Sequence, residues 1–235
     1  MRVVEVFGPT VQGEGPYAGH VTHFVRFGGC DYRCSWCDSM YAVEPALVRA
    51  AEDLSADAIC ARLSALGPAP MLVLSGGNPA LQPRAGALIA AVRERYGVIA
   101  CETQGSVWRD WLRDVDSLVI SPKPPSSGMA TPQNWTQFDR FMAHACTHPG
   151  AVIKIVVFDE EDLMWAHGVH ELMAHDMPLY LSAGTDPGDV EDDPLPGVAA
   201  RYAWLCERVA RDPLLHAARV LPQLHVIAWG HQVGV

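Results

Sequence analysis

Three cysteines stand in the run Cys30-Asp31-Tyr32-Arg33-Cys34-Ser35-Trp36-Cys37, directly after an apolar stretch that ends in Arg26-Phe27-Gly28-Gly29. Thiolates are the usual ligands of a [4Fe–4S] cluster, and four irons held by three close cysteines leave one iron open to an exogenous ligand. An open iron implies chemistry rather than electron storage alone. The competing reading is a structural zinc knot with His20 or His23 as fourth ligand. Structural zinc sites usually add a second pair of ligands farther along the chain, and no second pair follows here. Cys60, Cys101, Cys146 and Cys206 are isolated in apolar surroundings and read as buried thiols.

Four further segments carry polar or conformationally free residues. Ser75-Gly76-Gly77-Asn78-Pro79 lets the backbone approach a ligand, because glycine has no Cβ and tolerates unusual φ. Phe7-Gly8-Pro9-Thr10-Val11-Gln12-Gly13-Glu14-Gly15 sets a carboxamide and a carboxylate among glycines, donors and acceptors suited to a heterocycle edge; the alternative is a loose N-terminal loop. Glu102-Thr103-Gln104-Gly105 and Ser121-Pro122-Lys123 complete the set.

The elements that must position these residues follow from hydrophobic periodicity. Short runs rich in Val, Ile and Leu alternate with longer amphipathic stretches, which predicts βα units and a parallel sheet. Strands are expected at 22–26, 71–74, 98–101, 117–120, 152–157 and 178–181, with a last one near 225–228, and helices at 56–66, 86–96, 107–114, 135–145, 161–174 and 199–211. Ser55 and Ser106 are candidate N-caps, and Asp159, Glu160 and Glu161 sit where a helix dipole favours negative charge. Segments 122–133 and 184–197 read as surface loops. Each polar motif from Cys30 onward falls at the C-terminal end of an expected strand, the face where parallel α/β folds build ligand sites. The expected architecture is α/β, a partial, open parallel β/α barrel in one domain over residues 1–235.

Bulk properties narrow the class. A chain of 235 residues with 49% hydrophobic and 19% charged residues is globular in composition, and no apolar run approaches the roughly 20 residues that span a bilayer. Met1-Arg2-Val3-Val4-Glu5 is not expected to be a signal peptide. A net charge of −10 with only 17 Lys and Arg argues against a nucleic-acid surface, so the expected substrate is a small molecule. Clustered free thiols suit a reducing cytoplasm.

The C-x3-C-x2-C spacing resembles the radical S-adenosylmethionine (SAM) superfamily, whose members chelate SAM at the open iron, and the glycine pair resembles their Gly-Gly-Glu-Pro segment, with Asn78 where Glu is usual. Together with Thr10-Val11-Gln12-Gly13-Glu14-Gly15, Trp36-Cys37-Asp38-Ser39, Glu102-Thr103-Gln104-Gly105, Ser121-Pro122-Lys123 and Leu221-Pro222-Gln223-Leu224-His225 through Trp229-Gly230, nearly the whole chain resembles the 7-carboxy-7-deazaguanine synthase family. That resemblance implies conversion of 6-carboxy-5,6,7,8-tetrahydropterin to 7-carboxy-7-deazaguanine with loss of ammonia, a step toward queuosine. It implies Cys30, Cys34 and Cys37 as cluster ligands and Ser39 as a hydroxyl ligand to Mg²⁺, where a helix N-cap is the plainer reading. It implies SAM contacts at Trp36, Cys37, Asp38, Gly77, Asn78, Ser121, Pro122 and Lys123, and substrate contacts at Val11, Gln12, Gly13, Arg26 and Ser75. Arg26 also makes physical sense, since guanidinium binds carboxylate bidentately; its alternative is an ion pair with Asp31 or Glu14. Glu102 and His225 are open candidates for substrate or proton-transfer groups. The resemblance further implies a flavodoxin or ferredoxin reductant, a homodimer, and regeneration of SAM. Two other readings stand beside it: a glycyl-radical-enzyme activase, and a nonenzymatic iron–sulfur or zinc binding module.

Overall fold

Alternate residues of a β-strand point to opposite faces of its sheet, and in this chain both faces are apolar but serve different ends. The computed structural model describes residues 1–173, 176–185, 195–230, 232 and 234. Its strands are β1 (Arg2–Val11), β2 (Val21–Phe27), β3 (Glu52–Asp53), β4 (Met71–Gly76), β5 (Val98–Thr103), β6 (Ser117–Ile120), β7 (Ala151–Val157), β8 (Leu179–Ala183) and β9 (Arg219–Leu221). They form one sheet in the order β3-β1-β2-β4-β5-β6-β7-β8-β9. From β2 to β9 every pairing is parallel, whereas β1 runs antiparallel to β2, and β3 to β1. The sheet is open, with β3 and β9 at its edges.

Odd-numbered Val25 and Phe27 of β2, and Ile153, Ile155 and Val157 of β7, join the main core beneath the helices. Phe24, Met71, Val73 and Ala100 form a smaller cluster on the other face, as do Val119, Val152 and Tyr180. On that second face Arg26 and Lys154 continue the registers of Phe24 and Val152, and both line a cavity. Strand periodicity therefore decides which side chains see ligand.

The helices are α1 (Met40–Val43), α2 (Pro45–Ala50), α3 (Ala56–Ala65), α4 (Ala85–Val92), α5 (Pro132–Ala145), α6 (Glu160–Met173), α7 (Leu195–Arg211) and α8 (Leu224–Trp229). Ser55 caps α3, its Oγ accepting from the Ala58 amide at 3.1 Å, and Asp159 accepts from the Asp162 amide at 2.9 Å. Among the described residues no helix is long and apolar enough to cross a membrane.

Several expectations change. The segment 7–15 is no loose loop: residues up to Val11 belong to β1, which pairs with β2. The stretch 225–228 lies within α8, and β9 supplies the last strand; a short apolar run cannot be told apart as helix or strand by periodicity. The expected helix at 107–114 is only a 3₁₀ turn over Asp110–Asp114, and Ser106 caps nothing but accepts from Asn78 and Gln104. Helices α1 and α2 were not expected, α4 stops at Val92, and α5 starts at Pro132 because Thr131 accepts from the Asn134 amide at 3.2 Å. The expected loop 122–133 holds a 3₁₀ turn, Pro125–Ser127. Of the expected loop 184–197, residues 186–194 lie outside the described residues, as does residue 174 at the end of the expected helix 161–174. Cys101 is buried as expected, but Cys60 and Cys206 are half-buried and Cys146 is exposed.

Gly76 has φ +129°, and a Cβ there would lie 2.2 Å from the Phe27 carbonyl oxygen. Gly76→Ala is expected to cost at least about 2 kcal/mol through strain and displacement of β2's end, and to lower iron loading at Cys30. Urea unfolding and iron content equal to wild type would refute this account.

Candidate active site

The chain leaves β2 through a backbone clasp. The amide of Gly77 donates to Phe27 O at 3.0 Å and that of Asn78 to Gly29 O at 2.8 Å, while the Gly29 amide donates to Ala42 O at 2.8 Å. A Cβ on Gly77 would sit 2.2 Å from Gly29 O. The glycine pair thus admits a second stretch of backbone, the one that delivers Cys30. Farther along, the Ser35 amide donates to Ser127 O at 3.0 Å and its hydroxyl to Ser126 O at 2.8 Å. Trp36 Nε1 donates to Ser126 Oγ at 3.0 Å, and that hydroxyl donates to the buried Asp162 at 2.6 Å. The cysteine loop is tied down at both ends.

Cys30, Cys34 and Cys37 line one cavity together with Trp36, Asp38, Ser39, Gly77, Ser121 and Lys123, and with Val11, Gln12, Gly13, Arg26 and Ser75. Its empty space, open mouth included, is about 1570 Å³. Pro122 does not line it. Neither does Asn78, which is fully buried with its amide spent on Ala80, Thr103, Asp31 and Ser106. Its side chain, expected among the SAM contacts, is turned to these protein partners instead. His20 and His23 also lie outside the cavity lining, and His23 is bonded to Tyr96 at 2.8 Å.

Arg26 is ion-paired with neither Asp31 nor Glu14. Its Nε donates to Glu5 Oε1 at 2.5 Å and its Nη1 to Ser39 Oγ at 3.1 Å, between the rings of Phe7 and Tyr41. Tyr41 adds a second donor to Glu5 Oε1 at 2.9 Å. Ser39 occupies the N-cap position of α1 but its side chain caps no amide; its hydroxyl donates instead to Asp38 Oδ1 at 2.9 Å.

A second polar group lies along β5 and β7. Glu102 accepts from Gln12 Nε2 and from Ser75 Oγ, both at 2.9 Å, so one carboxylate orients two lining residues. Glu14 bonds Lys154 through Oε2 and accepts from Gln223 Nε2 at 2.9 Å through Oε1. Burial alone would raise the Glu14 carboxyl, but Lys154, then His225, and the hydrogen bonds from Lys154 and Gln223 bring it down to about 2. Burial opposes the Lys154 charge, and Glu14 with Glu102 more than restores it, so its ammonium is held above the usual lysine range. Gly13 makes room for His225, whose Nδ1 would be 2.1 Å from a Cβ there.

No family model matches the chain. It is 40% identical over 99% of its length to the 7-carboxy-7-deazaguanine synthase of Bacillus subtilis, covering 98% of that protein. The enzyme of the same name from Bacillus cereus is 38% identical over the same shares. The chain belongs to the 7-carboxy-7-deazaguanine synthase family. Among solved structures, that of QueE from Escherichia coli superposes with a TM-score of 0.66 at 17% identity, covering 95% of this chain and 94% of that one. Streptococcus suis SuiB bound to S-adenosylmethionine superposes with a TM-score of 0.51 at 11% identity, over 82% of this chain and 44% of that one. These two likenesses speak to the shared open α/β fold.

The donor set of this synthase-family chain fits an iron–sulfur cluster. All three thiols are free and line the same cavity, yet among the described residues no three His, Cys, Asp or Glu side chains converge on a single metal ion. Burial pushes all three thiols up, Cys37 to about 11, so the metal must displace their protons as it binds.

Sequence reasoning missed Glu5, Tyr41 and Lys154. Lys154 carried a signal: it is the one ionisable residue in the apolar strand Ala151–Val157, and a charge in such a run needs a partner. Glu14, depressed below its unfolded value of 4.5, contributes stability that is present above pH 4.5 and lost as pH falls toward about 2. Lys154→Met leaves that carboxylate buried without its countercharge. It is expected to cost about 3–5 kcal/mol at neutral pH and to flatten the acid limb of stability against pH; an unchanged acid limb would contradict the pairing.

Proposed function

We propose that Arg26, fixed by Glu5 in the cavity the three cysteines share, holds the carboxylate of a pterin substrate beside the cluster. That shared cavity is the observation that carries the reading. As a family member the protein is a radical SAM lyase, converting 6-carboxy-5,6,7,8-tetrahydropterin to 7-carboxy-7-deazaguanine with loss of ammonia, in queuosine biosynthesis. Its cofactors are a [4Fe–4S] cluster, SAM and Mg²⁺; when bound, cluster and SAM supply one electron and the carbon radical that takes hydrogen from substrate.

The remaining work falls to the chain. Cys30, Cys34 and Cys37 would hold the cluster. Trp36, Asp38, Gly77, Ser121 and Lys123 would hold SAM, with Trp36 kept in place by Ser126 and Asp162. Gln12 and Ser75 would face the pterin, both oriented by Glu102. With both its oxygens committed, Glu14 supports the wall rather than reading the substrate. Ser39, with its hydroxyl between Asp38 and Arg26, would give Mg²⁺ one oxygen, the rest coming from water and substrate, since Mg²⁺ keeps several waters. The walls exclude water and oxygen from the reacting carbon. The unbroken sheet supports a single domain over residues 1–235. A flavodoxin or ferredoxin is the proposed electron donor, and a cytoplasmic homodimer the proposed working form.

Anaerobically reconstituted, reduced protein given SAM, Mg²⁺ and 6-carboxytetrahydropterin should yield 7-carboxy-7-deazaguanine by mass spectrometry. Cleavage of SAM without that product would sink the substrate assignment. Arg26→Gln should raise KM roughly 10- to 100-fold, the equivalent of a charge-assisted hydrogen bond of about 1.5–3 kcal/mol, with iron content unchanged. Wild-type KM in that variant would take the carboxylate away from Arg26.

A further inference from the structure

Beside Cys30 lies a polar network, buried at Asn78, Thr103, Gln104 and Ser106 and reaching the exposed Asp31, to which the reading above gives no part in binding substrate. Asn78 donates through Nδ2 to Asp31 Oδ1 and to Ser106 Oγ, both at 3.0 Å, and accepts through Oδ1 from the Ala80 amide at 3.1 Å and from Thr103 Oγ1 at 2.9 Å. Gln104, 4% exposed, directs Nε2 to the same Asp31 Oδ1 at 2.6 Å, to Ser106 Oγ at 3.2 Å and to Cys30 Sγ at 3.6 Å. The Tyr32 amide also donates to Cys30 Sγ at 3.4 Å. Among the described residues, neither Cys34 nor Cys37 receives a side-chain hydrogen bond at sulfur. The three ligands are therefore unequal.

We propose that Gln104 is a positioning residue for the cluster: it donates its amide N–H to the Cys30 sulfur, while the Asn78–Asp31 pair holds both partners at that separation. The inference rests on the cluster reading given above. A hydrogen bond to a ligating sulfur draws off electron density and stabilises the reduced, more negative cluster, so it raises the reduction potential. Asn at position 78 then has a role that a carboxylate could not fill. A Glu or Asp there would set a second negative charge against Asp31 and lose the donor that holds it.

The test is an anaerobic redox titration of the loaded protein, followed by electron paramagnetic resonance, on wild type and on Gln104→Met, which keeps chain length and removes the donor. The expected result is a more negative midpoint potential in the variant at wild-type iron and sulfide content. An unchanged or more positive potential at that content overturns the proposal, whereas a wild-type protein that takes up no cluster overturns the earlier reading instead. If Gln104→Met does not load, Gln104→Asn, whose amide is drawn back by one methylene, should show the same direction of shift. Independently, wild type labelled with ¹⁵N in the glutamine side chains should show a ¹⁵N hyperfine coupling to the reduced cluster. Its absence overturns the proposal whatever the variants do.

Discussion

The close approach of two backbone segments, Gly76–Gly77 against Phe27–Gly29, is the constraint on which the rest of the site depends. Side chains at those two glycines would collide with carbonyl oxygens 2.2 Å away, so the cysteine loop can leave β2 only because they are bare. The amides of Gly77 and Asn78 then hold that exit. Everything downstream inherits its position from this clasp: Cys30, the Asp31–Asn78–Gln104 network, and Trp36 resting against Ser126.

A second organising effect is charge on the inner sheet face. Arg26 projects from the register of Phe24 and Lys154 from that of Val152 and Val156, and each has a carboxylate partner from the N-terminal segment, Glu5 and Glu14. Burying an unpaired charge costs several kcal/mol, so these pairs lock β1 and the turn after it onto the parallel sheet. Strand β1 is therefore a wall of the site as well as a strand of the sheet. The same pairing leaves Arg26 cationic and orients it toward the cavity, while Glu102 uses both its oxygens to aim Gln12 and Ser75.

The comparison with what the sequence suggested is instructive where it fails. Asn78 stands in a segment that resembles a ligand-binding turn, yet its side chain turns inward, because Asp31, Thr103, Ser106 and the Ala80 amide offer it four good hydrogen bonds. Ser106 sits where a helix cap was expected and joins that network instead. Residues 225–228 are apolar enough for a strand but follow Pro222 and close onto Gly13 as a helix, with the Leu224 amide donating to Gly13 O at 3.0 Å. In each case a long-range partner outweighs local preference.

The order of βα units, the placement of the polar motifs at strand ends and the thiolate spacing were all legible in the sequence alone, because period-2 apolar runs and ligand spacing are local properties of the chain. Which thiol receives the Gln104 amide, which carboxylate holds Arg26, and the joining of Glu14 to Lys154 across 140 positions were decided only by the tertiary structure. Such contacts depend on strand order and on which face each side chain takes, and no local pattern encodes a partner so far away.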